Sequence, residues 1–327
     1  MNWSGKRVLV TGAGGFIGSH LCERLAEAGA KTRAFVHYNA LGTWGWLDES
    51  RVRDEIEVVA GEICDRDSVR QAMQGTEIVF HLAALIAIPY SSHAPASYVR
   101  TNIDGTLNVL QAARELGIER LVHTSTSEVY GTARHVPIDE SHALHGQSPY
   151  AASKIGADQM AEAFHCAFGL PVVTARPFNC FGPRQSARAI VPTIITQCLS
   201  GGTVRLGSLH PTRDLNYVTN TVEGFLLAAS RPEAVGRTIN LGSGREIAIG
   251  DLARLIARLA GRSIAVEMQP ERVRPERSEV GRLLADSALA RALLGWEPDV
   301  TLEDGLQRTI EWVQTHLARY RPGVYVL

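Results

Sequence analysis

A glycine-rich turn near the N-terminus constrains this chain more than any other feature of its sequence. It reads Thr11-Gly-Ala-Gly-Gly-Phe-Ile-Gly18 and lies between an apolar strand pattern at residues 7–10 and a helical pattern at 16–28. A tight strand-to-helix turn needs residues without a Cβ, and Gly12, Gly15 and Gly18 supply them. The N–H groups at the start of such a helix attract a pyrophosphate. The turn therefore predicts a dinucleotide-binding site rather than a glycine-rich turn without a ligand.

The first half of the chain alternates between two hydrophobic periodicities. Strand patterns occur at residues 32–36, 57–59, 77–82, 120–124 and 171–175, and helical patterns at 68–73, 98–116 and 150–168. We expect Gly117 and Gly169 to end the two longer helices, and Ser148 with Pro149 to begin the last one. The alternation predicts an α/β fold with a Rossmann-type, doubly wound parallel sheet.

After Arg176 the alternation weakens, and helical patterns return at residues 191–199, 221–230, 249–259 and 302–317. We expect two domains. Residues 1–176, with about 216–241, would form the dinucleotide-binding domain. Residues 177–215, with about 242–327, would form a smaller substrate-binding domain at the ends of the strands.

The second predicted strand ends in His37-Tyr-Asn39, without a carboxylate. An acidic residue at this place normally holds the adenosine ribose of NAD. His37 or Asn39 can form that hydrogen bond instead, and Arg33 is the nearest cation. The sequence therefore favours NAD and leaves NADP open.

Tyr150 and Lys154 lie one helical turn apart, in the sequence Tyr150-Ala-Ala-Ser-Lys154. An ammonium beside a phenol stabilises the phenolate, so we expect a lowered pKa at Tyr150 and a tyrosine that acts as a base. Lysine is rare here: Lys6, Lys31 and Lys154 are the three among 33 basic residues. Because a guanidinium does not replace a compact ammonium, the choice of lysine at this position indicates a catalytic pair.

A polar segment, Thr126-Ser-Glu128, follows the predicted strand at residues 120–124. Side chains at the carboxyl end of a parallel strand face the ligand crevice. Thr126 or Ser127 can therefore bond a substrate hydroxyl, and Glu128 is a candidate general acid–base. The alternative is a polar strand end whose side chains only cap the backbone.

The chain resembles the extended short-chain dehydrogenases/reductases that act on nucleotide-sugars. The resemblance extends to the segment at 294–296, and four motifs carry most of it: Thr11–Gly18, His81-Leu-Ala-Ala84, Tyr150 with Lys154, and Arg176-Pro-Phe-Asn179. Thr126-Ser127-Glu128 is similar to the 4,6-dehydratases, especially the GDP-mannose type, whereas the dTDP-glucose type has Asp at the position of Ser127. Further stretches resemble dehydratases of legionaminic-acid-type pathways: Tyr38-Asn39, Trp44–Asp48, Arg274–Val280 and the tail containing Tyr325.

The resemblance implies roles for individual residues. Besides the glycines, the cofactor would contact Phe16, Ile17, Glu62, Ile63, Leu82, Ala83, Ala84, Tyr150 and Lys154. Lys154 would hold the nicotinamide ribose. Glu62 departs from the family, which commonly has Asp at this adenine contact. The substrate diphosphate would be held by Asn179, Arg188, Arg213 and Arg274, with Arg184 a further candidate. Trp44 and Trp46 would either cover the sugar or pack locally under their loop. Helices 98–116 and 150–168 would form a homodimer interface.

The resemblance also implies a reaction. Transient oxidation at C4 of a nucleotide-linked hexose, with NAD as cofactor and N-acetylglucosamine as the expected sugar, would allow water to leave from C5 and C6. The product would be a 4-keto-6-deoxy sugar. A nucleotide-uronate decarboxylase and a 4-epimerase remain as alternatives, although an epimerase has no need of Glu128. A catalytically silent NAD sensor has no need of Tyr150, Lys154 and Glu128 together.

Composition narrows the partners. A formal net charge of −1 favours neither nucleic acid nor an acidic membrane surface. No apolar run approaches the ~20 residues of a membrane span, and the N-terminal apolar run is too short for a signal peptide. The cysteines are odd in number and form no CxxC pair: Cys22, Cys64, Cys166, Cys180 and Cys198. We therefore expect a cytoplasmic enzyme without a disulfide framework or a bound metal.

Overall fold

A computed structural model describes residues 1–322 and 324 of the chain. A seven-stranded parallel sheet forms its centre, in the order β10-β6-β5-β4-β1-β2-β3. Its strands are β1 (Arg7–Thr11), β2 (Lys31–His37), β3 (Glu57–Gly61), β4 (Ile78–His81), β5 (Arg120–Thr124), β6 (Val172–Pro177) and β10 (Thr238–Leu241). The strand order reverses between β1 and β4, which is where ligands bind in a doubly wound sheet. The predicted Rossmann-type fold is confirmed.

Helices cover both faces of this sheet. On one face lie α2 (Arg66–Met73), α5 (Gly105–Leu116) and α6 (Pro149–Phe168), whose apolar side chains pack with Leu9, Val79 and Leu121. On the other face lie α1 (Phe16–Glu27) and α8 (Val218–Ser230), which pack around Val8, Val10 and Val122. Because successive side chains of a strand point to opposite faces and helices cover both faces, the three central residues of β1, Val8, Leu9 and Val10, are all apolar.

Smaller elements form the layer above the carboxyl ends of the large sheet. β7 (Asn179–Phe181), β9 (Thr212–Tyr217) and β11 (Glu246–Ala248) form a three-stranded sheet, and β8 (Thr203–Leu206) pairs with β12 (Ala265–Met268). The accompanying helices are α7 (Ile190–Ser200), α9 (Ile249–Leu259), α10 (Ala288–Leu294) and α11 (Leu302–Thr315). β10 returns to pair with β6. The proposed domain boundaries stay a prediction.

The predicted helix boundaries around α5 and α6 are mostly confirmed. Gly117 and Gly169 adopt left-handed φ angles of 66° and 65° as the C-caps. The Ser148 hydroxyl accepts a hydrogen bond from the Ala151 N–H, and Pro149 is the first helical residue. Residues 98–116 are helical throughout, as expected, but they are not one uniform α-helix, because Val99–Asp104 form a π-helical turn.

Several short elements lead into this helix. α3 (Ile88–His93) and α4 (Pro95–Tyr98) precede a π-helical turn at Val99–Asp104, and only then does α5 begin. Within the turn the Asn102 side chain bonds both backbone groups of Leu85 and the hydroxyl of Ser153. A buried amide that must satisfy backbone groups outside its own helix accounts for the irregular turn.

Within residues 1–322 and 324, the model contains no helix that is both long and apolar enough to cross a membrane. Tyr325, one of the residues in the legionaminic-type resemblance, lies outside the described residues.

Candidate active site at the carboxyl edge of the sheet

Close backbone contacts explain the glycines between β1 and α1. A Cβ on Gly12, whose φ is +70°, would lie 2.8 Å from the backbone nitrogen of Ala83. A Cβ on Gly18 would overlap the carbonyl oxygen of Gly12. Gly15 is the N-cap of α1, and no side chain caps this helix end, where Phe16 and Ile17 begin the first turn. A helix N-terminus reached by bare backbone fits a pyrophosphate.

The end of β4 is fixed against this turn by Thr11. Its Oγ1 accepts hydrogen bonds from the N–H groups of Leu82 and Ala83, each at 3.1 Å. The same hydroxyl lies 2.9 Å from Nδ1 of His81, whose Nε2 lies 3.0 Å from Oγ1 of Thr106. Because Thr106 donates its own proton to a backbone carbonyl, His81 donates from Nε2 and accepts at Nδ1. Burial lowers the pKa of His81, which keeps it neutral.

The segment containing Trp44 and Trp46 packs behind the glycine turn. A Cβ on Gly14 would lie 2.6 Å from the carbonyl oxygen of Trp44, and the Trp46 N–H donates to the Gly14 carbonyl at 3.0 Å. The ring of Trp46 meets that of Trp312, on α11, with centroids 5.3 Å apart. Both tryptophans are therefore engaged in local packing, the second of the two alternatives given for them.

The residues expected near the adenosine lie at the carboxyl ends of β2 and β3. Nδ1 of His37 lies 3.1 Å from a carboxylate oxygen of Glu62. Ile63 is buried beside them. Asn39 is differently engaged, because its side chain bonds the backbone of Leu41 and Thr43 within its own loop. The structure thus brings His37 and Glu62 together and leaves Asn39 with a local role.

Tyr150, Thr126 and Glu128 converge at the start of α6. The phenol of Tyr150 is hydrogen-bonded to the hydroxyl of Thr126, which also accepts from the Glu128 N–H at 3.3 Å. Tyr150 and Glu128 are each 7% exposed, and the charge of Glu128 acts on the phenol. Ser127 is buried between Thr126 and Glu128. Lys154 donates to the carbonyl oxygen of Thr124 at 2.7 Å.

Burial dominates the ionisation of the tyrosine and the lysine. It raises the pKa of Tyr150, and the hydrogen bond from Thr126 opposes it only in part. Burial also lowers the pKa of Lys154 to about 8, against the charge of Asp158. The expected low pKa at Tyr150 is therefore wrong for the chain alone, because desolvation of the phenolate, followed by the negative charges of Glu128 and Asp158, raises the pKa more than the Thr126 hydrogen bond lowers it.

Asp158, which the sequence argument missed, is the buried charge behind the catalytic pair. It is 3% exposed and accepts hydrogen bonds from Nε2 of His123 at 3.0 Å, from the Ser125 hydroxyl at 2.6 Å and from Nη2 of Arg176 at 2.9 Å. Burial raises the pKa of Asp158, but these donors and the charge of Arg176 hold it at about 2. The signal was present in the spacing, since Tyr150, Lys154 and Asp158 recur every four residues along one helix face.

Two of the predicted diphosphate ligands meet at a residue that was given no role. Nη2 of Arg213 lies 3.3 Å from a carboxylate oxygen of Glu279, and Nη1 of Arg274 lies 3.7 Å from the same oxygen. The carboxylate of Glu279 therefore neutralises part of the positive charge of both arginines. Asn179 begins β7, and its side-chain oxygen is buried with no hydrogen-bond partner within residues 1–322 and 324. Convergent cations and an unpaired buried acceptor fit a polar, anionic ligand.

The other two arginines differ from each other. Arg188 is exposed, and its charge acts on Tyr98, whose ring meets that of Tyr150 edge-on at 6.2 Å. Arg188 therefore lies close enough to Tyr98, the neighbour of Tyr150, for its charge to lower the pKa of that phenol. Arg184 bonds the carboxylate of Glu23, on α1, at 2.8 Å, which ties its loop to that helix instead of offering the guanidinium to a ligand.

Comparison with known proteins matches this arrangement to characterised enzymes. A dTDP-glucose 4,6-dehydratase from Streptomyces griseus is 35% identical over 323 residues, or 97% of both chains. A UDP-glucose 4-epimerase from Mycolicibacterium smegmatis is 32% identical over 94% of this chain and 98% of the relative. The dTDP-glucose 4,6-dehydratase of Streptomyces venezuelae, solved with NAD bound, superposes with a TM-score of 0.87 at 29% identity over 96% of this chain and 99% of that one.

The family model for GDP-mannose 4,6-dehydratase matches residues 9–309, a range that contains the glycine turn, the Tyr150–Lys154 pair and the arginines that meet at Glu279. This chain belongs to the GDP-mannose 4,6-dehydratase family, among the extended short-chain dehydrogenases/reductases that act on nucleotide-sugars.

Proposed function

We propose that this chain is an NAD-dependent nucleotide-sugar 4,6-dehydratase. The observation that carries the proposal is the position of Glu128, a buried carboxylate whose charge acts on the phenol of Tyr150. Elimination of water across C5 and C6 needs an acid–base group beside the sugar in addition to the tyrosine that serves C4. A carboxylate next to that tyrosine meets this need.

The glycine turn and the end of β4 are the proposed NAD site, with Gly12, Gly15 and Gly18 allowing close approach of the pyrophosphate. NAD supplies a hydride acceptor for C4 and, once reduced, a hydride donor for C6. Lys154 is proposed to hold the nicotinamide ribose and to keep a positive charge beside Tyr150. That charge, with the cationic ring of the oxidised cofactor, opposes the effect of burial on the phenol.

The residues of the chain would carry out four proton transfers. Tyr150 accepts the proton of the 4-hydroxyl through the hydrogen bond that it shares with Thr126. The 4-ketone acidifies C5, and Glu128 removes the C5 proton. The C6 hydroxyl leaves as water with the C5 proton, delivered by Glu128 directly or through Ser127. Once C6 has been reduced, C5 takes up one proton, which balances the one that Tyr150 took from the 4-hydroxyl. The net change is loss of one water from the hexose, and NAD is regenerated in each cycle.

The proposed substrate is a nucleoside diphosphate sugar, with N-acetylglucosamine as the expected hexose. Arg213 and Arg274 would exchange Glu279 for the diphosphate, assisted by Asn179 and Arg188. Support for the amino sugar comes from the legionaminic-type stretches of the sequence. It does not come from Trp44 or Trp46, because the backbone of Trp44 packs against Gly14, its ring lies under Arg53, and the ring of Trp46 packs against Trp312.

A 4-epimerase is the second candidate, favoured by the similarity to the mycobacterial UDP-glucose 4-epimerase over nearly the whole chain. Mass spectrometry after incubation with UDP- and GDP-linked N-acetylglucosamine separates the possibilities. Loss of water indicates a dehydratase, and an unchanged mass with inverted C4 indicates an epimerase. Loss of carbon dioxide from a nucleotide-uronate would indicate a decarboxylase.

Glu128→Gln provides the direct test of the dehydratase. We expect a fall in product formation of about 10²–10⁴-fold, because the amide cannot remove the C5 proton. Oxidation at C4 should continue, so absorbance near that of enzyme-bound NADH should accumulate. Glu233→Gln, at an exposed position, is the control. Undiminished dehydration by Glu128→Gln would exclude the proposed role.

A further inference from the structure

The loop at residues 182–189 connects β7 to α7 and carries Arg188, one of the proposed diphosphate ligands. On one side, the Tyr320 hydroxyl donates a hydrogen bond to the carbonyl oxygen of Gln185 at 3.0 Å. A loop between a strand and a helix has no ladder of backbone hydrogen bonds to fix it, so its position depends on side chains that hold it in place.

The backbone of Arg184, in the middle of this loop, is strained. Its φ is +70°, and among residues 1–322 and 324 it is the one residue other than glycine with a positive φ. This left-handed conformation costs free energy for any residue with a Cβ, whereas glycine adopts it freely. Because such strain persists only where the surroundings compensate for it, an arginine at this place indicates a use for the side chain.

The side chain of Arg184 binds the exterior of α1. Its Nη2 donates to a carboxylate oxygen of Glu23 at 2.8 Å, and its Nη1 donates to the hydroxyl of Ser19 at 3.2 Å. The side chains of Arg184 and Glu23 are only 15% and 13% exposed. Burial raises the pKa of Glu23, but its donors, above all Arg184, outweigh burial and keep the carboxylate ionised. In a pair shielded from water in this way, removal of one charge leaves the other without its partner.

A histidine of α1 adds a second contact to the loop. Nε2 of His20 lies 3.1 Å from the carbonyl oxygen of Pro183, and a carbonyl only accepts, so this nitrogen carries the proton. Burial, followed by the charge of Arg184, lowers the pKa of His20 to about 4, so the ring is neutral near pH 7 and does not compete with Arg184 for Glu23. The loop is therefore held on α1 by three side chains of that helix: Ser19, His20 and Glu23.

We infer that Arg184 is a positioning residue, whose ion pair with Glu23 holds loop 182–189 against α1 and so places Arg188 for the diphosphate of the substrate. This inference rests on the proposed function for the nature of that substrate. It moves Arg184 from the expected contact with the diphosphate to a role that acts through its own loop. Because α1 begins at the glycine turn, one helix fixes both the dinucleotide turn and the substrate loop.

Isothermal titration of the full chain with UDP- and with GDP-linked N-acetylglucosamine tests the inference, and the more tightly bound of the two is then used for the variants. Glu23→Gln keeps the size of the side chain and removes the charge, so it should raise the Kd about three- to tenfold. Arg184→Gly accepts the left-handed φ without strain but lacks the guanidinium, so it should raise the Kd about tenfold or more. Since the loop carries none of the proposed acid–base groups, kcat at saturating substrate should stay within about threefold.

Glu27→Gln is the matched control, because it removes the partner of the exposed Arg51 from the same helix and should leave the Kd unchanged. Amide hydrogen exchange without ligand reports on the loop itself. Exchange at residues 182–189 should be faster than in the wild-type chain in Glu23→Gln and Arg184→Gly, and unchanged in Glu27→Gln.

Wild-type affinity in either Glu23→Gln or Arg184→Gly would overturn the inference, and so would unchanged exchange of the loop in both. If only Arg184→Gly weakened binding, Arg184 would contact the ligand itself. Product masses are measured separately. Binding without dehydration by the wild-type chain overturns the proposed function and leaves this inference intact, whereas dehydration with unchanged affinities in both variants does the reverse. A wild-type chain that binds neither nucleotide-sugar overturns both.

Discussion

The glycine turn and the catalytic face of α6 lie at the same edge of one sheet but are built in opposite ways. The turn depends on missing side chains, since a Cβ on Gly12 or Gly18 would overlap backbone. The helix face depends on buried ionisable side chains, Tyr150, Lys154 and Asp158, which are held by hydrogen bonds and by charge. The residues that the turn can accept are therefore limited by shape, and those that the helix face can accept are limited by electrostatics.

This difference predicts that dinucleotide binding and the catalytic steps respond to substitutions in different regions. Substitutions in the turn should alter affinity for the dinucleotide while the catalytic groups keep their properties. Substitutions of Tyr150 and Asp158 on the helix face should alter rate and pH dependence while dinucleotide affinity is retained. Lys154 serves both functions, because it is also proposed to hold the nicotinamide ribose.

Tyr150→Phe should give the largest effect, because it removes the group that accepts the 4-hydroxyl proton. We expect kcat to fall by about 10²–10⁴-fold. Affinity for NAD⁺, measured by titration, should stay within about threefold. Tyr90→Phe, at an exposed tyrosine, should retain full activity. A comparable loss of NAD⁺ affinity in Tyr150→Phe would break the division between the two regions.

Gly18→Ala should give the next largest effect, and it should appear in binding. The new methyl group overlaps the Gly12 carbonyl, and a shift of the turn costs about 1–3 kcal/mol. NAD⁺ affinity should therefore weaken by roughly five- to 150-fold, with kcat little changed at saturating NAD⁺. Gly250→Ala is the control in another first helical turn, since the nearest atom to its Cβ lies at 3.5 Å. Normal NAD⁺ affinity in Gly18→Ala would show that the turn is not limited by shape.

Asp158→Asn should give the smallest effect, a displaced pH profile. The ammonium of Lys154 is lost as the pH rises through its pKa of about 8, so kcat/KM should fall above that pH. Asp158 raises the pKa of Lys154, so its removal should move the fall to lower pH, by about one unit or more. Removal of Asp158 also takes a partner from the buried Arg176 and can lower the amount of folded enzyme. The measured quantity is therefore the pH at which kcat/KM falls, not the height of the profile. Glu162→Gln, exposed on the same helix, is the control, and an unmoved profile in Asp158→Asn would contradict the coupling.

Much of the fold could be predicted because it follows from local periodicity and from end signals. Ser148, Pro149 and Gly169 bound α6 as expected. The irregular start of α5 could not be predicted, because it follows from contacts of Asn102 with Leu85, which is distant in sequence. Local patterns do not report which backbone groups a side chain must satisfy across the fold.

The same contrast between local patterns and distant contacts explains why only part of the site could be predicted. The spacing of Tyr150 and Lys154 identified the pair, but the pKa of the tyrosine was misjudged, since burial depends on the elements packed around it. Glu279 was missed because its two arginines come from separate parts of the chain.

By itself the sequence determined the parallel sheet, the glycine turn and the helix that carries Tyr150 and Lys154. Each of these is written in neighbouring residues, through hydrophobic period, the lack of a Cβ or the four-residue repeat of a helix. Only the tertiary structure decided that Glu128 is buried where its charge acts on Tyr150, that Glu62 meets His37 and that Arg213 and Arg274 share Glu279. Charges act through space, and the distances between them are fixed only when the elements pack.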